Sequence, residues 1–207
     1  STGSGDTSGF SGLIHTEVYG RPASRPYADG LTRLSTSLSS FLAADGLDPD
    51  AVIEKVVVEN GQLVIFVARE HLVQVARHLR DDQDLRFEMC FGVSAVHYPE
   101  DAGRELHGYF PLFSITHNRF LAIEATCPES DPHLPSIVSV YPGDDWPERE
   151  AWDLMGIVFD GHPGLTRTAM PDDWVGHPQR KDYPLGGIPV EYKGAVVPPP
   201  DVRRDYN

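Results

Sequence analysis

Carboxylates and imidazoles in the C-terminal half are the side chains with the most chemical potential. Asp144-Asp145-Trp146-Pro147-Glu148-Arg149-Glu150-Ala151-Trp152-Asp153-Leu154-Met155-Gly156 gathers Glu148, Glu150 and Asp153 within a few residues, a grouping that general acid–base catalysis can use. Such catalysis also demands a pocket and displaced pKa values. Helix chemistry accounts for the same residues: Asp145 as N-cap, Pro147 in the first turn, Glu148 at the capping-box spacing, Arg149 paired with Asp153, and Gly156 as the stop. On spacing alone the helical reading is preferred.

His162-Pro163 and His177-Pro178, with Asp160, Asp172 and Asp173 nearby, raise the question of a metal. No H-x-x-x-H or H-E-x-x-H spacing occurs, and residues 45–50 lack the spaced acids of a calcium loop. Cys90 and Cys127 are the two cysteines and have no C-x-x-C spacing, so they satisfy neither a tetrahedral zinc nor an iron–sulfur cluster. They are expected to be buried free thiols. A G-x-S-x-G elbow, a Walker loop and a G-x-G-x-x-G following a strand are likewise lacking. The expectation is a chain with no catalytic residue, no metal and no cofactor of its own.

The elements that must position these residues are legible in part. Leu31–Ala44 places Leu31, Leu34, Leu38, Phe41 and Leu42 at helical intervals, and Asp45-Gly46 stops the run. Two Val/Ile-rich strands, 52–59 and 62–68, meet at Asn60-Gly61, a hairpin dipeptide. A helix follows over 69–80, then strands at 86–98, 105–116 and 119–126, with Asn118 in the last turn. The order predicts an α/β (α+β) fold: a two-layer sandwich with a mixed or antiparallel sheet, helices on one face, and an extended C-terminal tail. Asp144-Asp145-Trp146 recurs as Asp172-Asp173-Trp174, and each is expected to open a helical turn. Four spans are predicted: an extended arm 1–30, a sandwich domain 31–135, a segment 136–190 rich in Pro, Gly, His and Trp, and a Pro-rich tail 191–207.

Composition narrows the classes. The 207 residues are 40% hydrophobic, enough to bury a core, and no apolar run approaches the ~20 residues that span a bilayer. Ser1–Gly12 has neither the basic start nor the apolar core of a secretory signal. A net charge of −14 disfavours nucleic acid and anionic lipid as partners.

Glu148-Arg149-Glu150-x-x-Asp153-Leu154-Met155-Gly156-Ile157-x-Phe159-x-x-His162-Pro163 resembles the signature of the 30 kDa (C-type) subunit family of respiratory complex I, the proton-translocating NADH:quinone oxidoreductase. Met170-Pro171-Asp172-Asp173-Trp174-x-Gly176-His177-Pro178-x-Arg180-Lys181-Asp182-Tyr183-Pro184-Leu185 resembles that family's second stretch. Thr166 departs from the pattern, standing where many members have a basic residue. The resemblance spans 31–190 and implies a non-catalytic scaffold in the peripheral, quinone-reducing arm, at the cytoplasmic face of the bacterial membrane. It implies partners in the quinone-cavity subunit and the terminal iron–sulfur subunit, with FMN, clusters and quinone held elsewhere in the complex. It assigns interface or structural roles to Trp146, Glu148, Arg149, Glu150, Asp153, His162, Arg167, Asp172, Trp174, His177, Arg180, Lys181, Asp182 and Tyr183. The alternatives are an equivalent scaffold in a related hydrogenase or ferredoxin-driven dehydrogenase, or an autonomous enzyme using the carboxylates or histidines.

Overall fold

A computed structural model of the chain describes residues 20–25, 27, 31–59, 61–184, 190–192 and 194–198. Helix α1 (Leu31–Ala44) coincides with the run the spacing predicts, and it sends Leu34, Leu38 and Leu42 into the core. A single turn, α2 (Pro49–Val52), leads into β1 (Ile53–Glu59), which pairs antiparallel with β2 (Gln62–Val67). Asn60 of the hairpin lies outside the described residues, and Gly61 has φ +74°, as the turn requires. A 3₁₀ turn (Arg69–His71) precedes α3 (Leu72–Asp81), whose Leu72, Val75, Ala76 and Leu79 are buried. Each buried Leu or Val contributes about 1.5–3 kcal/mol relative to exposure.

The predicted strand 86–98 is two short strands, β3 (Met89–Cys90) and β4 (Ser94–His97). Both pair antiparallel with β5 (Leu106–Ser114), but Cys90 faces Leu112 while Ser94 faces Tyr109, so one extra residue is accommodated between them. Gly92, at φ +112°, turns the chain at that point. Just before it, Phe91 faces Pro111, which has no N–H to offer; the Pro111 carbonyl accepts the Phe91 N–H at 3.0 Å. β6 (Arg119–Cys127) then pairs antiparallel with β5 and parallel with β2. The sheet order is therefore β1-β2-β6-β5-β3, with β4 also on β5, and the sheet is mixed. Helices α1 and α3 cover the face carrying Ile65, Phe110, Leu112, Leu121 and Ile123, which completes the two-layer sandwich.

β7 (His133–Pro135) pairs parallel with β8 (Val158–Asp160), and between them α4 (Asp145–Met155) packs against β4. Part of the N-terminal arm lies along β1: the Ala23 N–H donates to the Val56 carbonyl at 2.8 Å, and Arg25 donates to Ser35 Oγ at 2.6 Å. Near the C-terminus, β9 (Val190–Tyr192) and β10 (Ala195–Val197) form an antiparallel hairpin, a turn back within the span expected to be extended. The Ser/Gly-rich start and residues 199–207 lie outside the described residues. No helix among the described residues is long and apolar enough to cross a membrane.

Candidate functional site

Helix α4 begins directly after a 3₁₀ turn, Pro142–Asp144, and no side chain caps it. The expected capping box at Asp145 and Glu148 does not form. Glu148 turns inward instead, fully buried, and its Oε1 accepts the Ile137 N–H at 2.7 Å. One helical turn earlier, Asp144 is also fully buried, and neither of its carboxylate oxygens has a hydrogen-bond partner among the described residues. Burial pushes Glu148 up to about 7 and Asp144 up to about 6, so both hold protons well above the ordinary carboxylate range. The Cys90 thiol is a neighbour of Asp144, and burial raises it in turn.

The other end of α4 is built differently. Asp153 is fully buried, and its Oδ2 accepts three backbone N–H groups: Thr168 at 2.9 Å, Ala169 at 2.8 Å and Met170 at 3.0 Å. Its Oδ1 takes the Arg167 guanidinium at 2.6 Å, so the expected Arg149–Asp153 pair gives way to Arg167–Asp153. Burial alone would raise this carboxyl; the backbone donors and Arg167 outweigh it and hold Asp153 down at about 2. Arg167 reaches on to the carbonyls of Trp174 (2.7 Å) and Gly176 (3.3 Å), and its guanidinium lies 5.5 Å from the Trp152 ring.

The second signature stretch closes over the helix end as a strap. The His177 Nδ1–H donates to the Asp153 carbonyl at 3.0 Å, the Gln179 N–H to Leu154, and Arg180 Nε to the Met155 carbonyl at 2.7 Å. The last turn's free carbonyls are thus answered by a cation at the negative helix end. Gly156 ends the helix at φ +82°, and a Cβ there would come within 2.5 Å of His177 Cδ2. The Asp172-Asp173-Trp174 repeat forms a turn, with the Trp174 N–H on Pro171, and does not start a helix. Tyr183 packs over Gly176 and its hydroxyl reaches the Val175 carbonyl at 3.4 Å.

Arg149 lies against Thr166, donating Nη2 to Oγ1 at 2.7 Å and Nε to the carbonyl at 3.2 Å. The threonine at the position expected to be basic therefore receives a hydrogen bond from Arg149. His162 donates Nε2–H to the Asp145 carbonyl at 3.0 Å and accepts the Gly164 N–H at Nδ1. Trp146, Glu150, Asp172 and Asp182 face solvent, and Trp174 is half-buried, its indole N–H without a partner among the described residues.

The groups singled out for catalysis are not brought together. Glu148 and Asp153 are engaged at opposite ends of α4, Glu150 is outside, and His162 and His177 hold backbone groups. A cavity of about 430 Å³ lies against Arg25, Tyr27, Ser35, Ser39, Asp50 and Lys55, none of them in the signature stretches.

One cluster escapes the sequence pattern. His97, a fully buried ring on β4, meets the Glu129 carboxylate through Nε2, and Asp182 lies 3.8 Å from Nδ1. The donor set suits a metal, but Nδ1 accepts the Lys181 N–H at 3.0 Å. The proton therefore sits on Nε2, facing Glu129, and no ring lone pair remains for an ion. His97 is a latch holding the strap's end to the sheet. Only the strap's path reveals it, and no spacing in the sequence does.

The architecture is a mixed α+β sandwich with a strap sealed over a helix end by buried charge. The pattern of the respiratory-chain NADH dehydrogenase 30 kDa subunit matches residues 65–189, and the chain belongs to that family. A Streptomyces coelicolor protein, named as the C-type subunit of NADH-quinone oxidoreductase, is 60% identical over 98% of this chain and 81% of its own length. One of the same name from Mycobacterium ulcerans is 57% identical over 99% of this chain and 86% of its own. Among solved structures, a trypsin-resistant fragment of Nqo5 superposes with TM-score 0.50 at 23% identity, covering 65% of this chain and 98% of the fragment. A chain of the archaeal membrane-bound sulfane sulfur reductase, a respiratory membrane complex, superposes with TM-score 0.54 at 16% identity over 74% of this chain and 86% of that one. These two structural likenesses are likenesses of fold.

Proposed function

We propose that the chain is a non-catalytic scaffold in the peripheral arm of a proton-translocating NADH:quinone oxidoreductase, supporting electron flow from NADH through FMN and iron–sulfur clusters to quinone. The observation that carries this reading is the use made of the signature residues: their carboxylates, imidazoles and guanidinia fasten the strap to α4 and to the sheet, and form no reaction centre. Redox groups belong, on this reading, to partner subunits, chiefly the quinone-cavity subunit and the terminal cluster subunit, on the cytoplasmic side of the membrane. Trp146, Glu150, Asp172, Trp174 and Asp182 are the signature residues left with outward-facing atoms to meet those partners. The other signature residues act one step back, by fixing the strap that presents them. On this reading span 31–135 supplies the sandwich and span 136–190 supplies α4 and the strap packed on it.

A hydrogenase or ferredoxin-driven relative is the weaker reading. Relatives at 54–60% identity over nearly the whole chain carry the NADH–quinone name, whereas the likeness to the sulfane sulfur reductase is at 16%. The test is to purify the tagged full-length chain from native membranes and assay NADH:quinone reduction. Activity that follows the tag, with a colourless isolated chain, is the expected result. A visible flavin or cluster band, or turnover by the isolated chain, would sink the proposal.

A further inference from the structure

Six large apolar side chains are exposed among the described residues: Met89, Phe91, Ile115, Trp146, Val175 and Val196. Four of them lie toward the β3 side of the main sheet: Met89 on β3, Phe91 just after it, Ile115 just past β5, and Trp146 on the neighbouring α4. Met89 on β3 is the register partner of Phe113 on β5, and the Phe113 ring lies 6.2 Å from that of Phe91. Gly92, next in the chain, has its Cα so close to α4 that a Cβ would stand 2.9 Å from Pro147 Cγ. Trp146 immediately precedes that proline. At the other end, Glu88 receives the Ile115 N–H at 3.0 Å, one residue before Met89. The strip thus runs from Ile115 (65% exposed) through Met89 (41%) and Phe91 (56%) to Trp146 (66%).

Single exposed apolar residues are ordinary, whereas a row of aromatic and Met side chains marks a contact surface. β3 is the outermost strand on this side, yet it is two residues long and broken at Gly92. A backbone ladder added there would find little to pair with, so side chains must supply the contact. Phe, Met and Trp are enriched in interface cores, and so is Arg; Arg149 stands 4.6 Å over the Trp146 ring.

Charge decides the occupant. A second copy would bring another −14 to the surface, and anionic lipid headgroups are repelled for the same reason. Asp145 and Glu150 flank the Trp146 end, and Glu88, itself paired with Arg86, flanks the other. We propose that this strip is the docking edge for another subunit of the same respiratory complex, one presenting apolar side chains ringed by lysine or arginine. This rests on the subunit reading above and adds the surface through which it operates.

The test places p-benzoylphenylalanine at position 91 of the full-length chain, in the assembled complex in native membranes. After illumination, mass spectrometry should identify an adduct with another subunit of that complex, at an apolar position flanked by basic residues. The paired substitution Phe91→Ser with Trp146→Ser should lower retention of the chain on the purified complex by about tenfold or more, while its own melting temperature is unchanged. An adduct between two copies or with lipid would overturn the proposal. So would the absence of any adduct, together with normal retention of the paired variant, in a chain that still co-purifies with NADH:quinone activity; the subunit reading would then stand. A chain that never co-purifies with that activity overturns both.

Discussion

The two ends of α4 handle the same problem, a buried carboxylate, in opposite ways. At the N-terminal end Asp144 and Glu148 have one backbone donor between them from Ile137, and both are driven up, to about 6 and about 7. At the C-terminal end Asp153 has three backbone donors and an arginine, and it is held at about 2. All three side chains are closed to solvent, but Asp144 and Glu148 lie deeper among protein atoms than Asp153 does. Donor supply widens that difference: a carboxylate is kept charged when hydrogen bonds to the charged form exceed its desolvation. One end is consequently an ionic clasp and the other an acid pocket that prefers its protons.

Removing the clasp should give the largest effect. Asp153→Ala leaves Arg167 buried without its anion and three N–H groups unanswered, a loss of about 3–5 kcal/mol by urea denaturation. A loss below about 1 kcal/mol would show that the strap is held by packing alone, and the contrast would collapse. Next is Gly156→Ala. It forces a Cβ into the left-handed region at φ +82° and onto His177, which anchors the strap. A loss of about 2–3 kcal/mol is expected. A neutral result would mean that the strap can shift without cost.

The acid pocket predicts a pH effect. Glu148 goes from an ordinary 4.5 to about 7, and Asp144 from 3.8 to about 6, so the folded chain binds more protons than the unfolded one across that interval. Their stabilising contribution is complete below about pH 4 and is lost as pH rises through 6 to 7. Asp153 has the opposite sign: its contribution is present above 3.8 and falls away as pH drops toward 2. Glu148→Gln keeps an acceptor for the Ile137 N–H and removes the titration. At pH 8 it should be more stable than the parent by about 1–2 kcal/mol, with the difference vanishing at pH 4. Chemical denaturation at the two pH values decides it, and a difference independent of pH would remove the acid pocket from the account.

The sandwich is legible in the sequence because its elements are local. Leu34, Leu38 and Leu42 declare α1 by spacing, and the Val/Ile runs around Gly61 declare a hairpin. The pattern misleads at 86–98, because Gly92 and the distant Pro111 break that strand together, and only the pairing with β5 brings Pro111 across from Phe91, beside that glycine. Glu148 reads as a capping residue because a capping box and an inward-facing glutamate share one spacing. Its target, Ile137, lies on a segment with no periodicity. The 144/148 pair is visible as two acids four apart on one helix face, but their burial is not. Asp153, Arg167, His177 and Arg180 stand out through the family resemblance. Their bonds to each other run through a strap without regular structure, which no spacing rule describes.

Asp145 sharpens the comparison at the smallest scale. It lies between Asp144 and Glu148 in the same opening turn, yet its side chain is 40% exposed, with Arg149 4.0 Å away and the His162 ring at 3.8 Å. The positive helix end favours the charged form of a carboxylate, so it does not account for the raised values of Asp144 and Glu148, which burial does. Water screens Asp145, and little depends on its charge. Exposed pairs at i,i+4 contribute about 0.3–0.5 kcal/mol, so Asp145→Asn should cost no more than about 0.5 kcal/mol. Urea denaturation at neutral pH, run beside Asp153→Ala, measures both losses on one scale. A loss of several kcal/mol in Asp145→Asn would show that an exposed charge holds the opening turn as firmly as the buried groups do, and burial would no longer separate Asp145 from its neighbours.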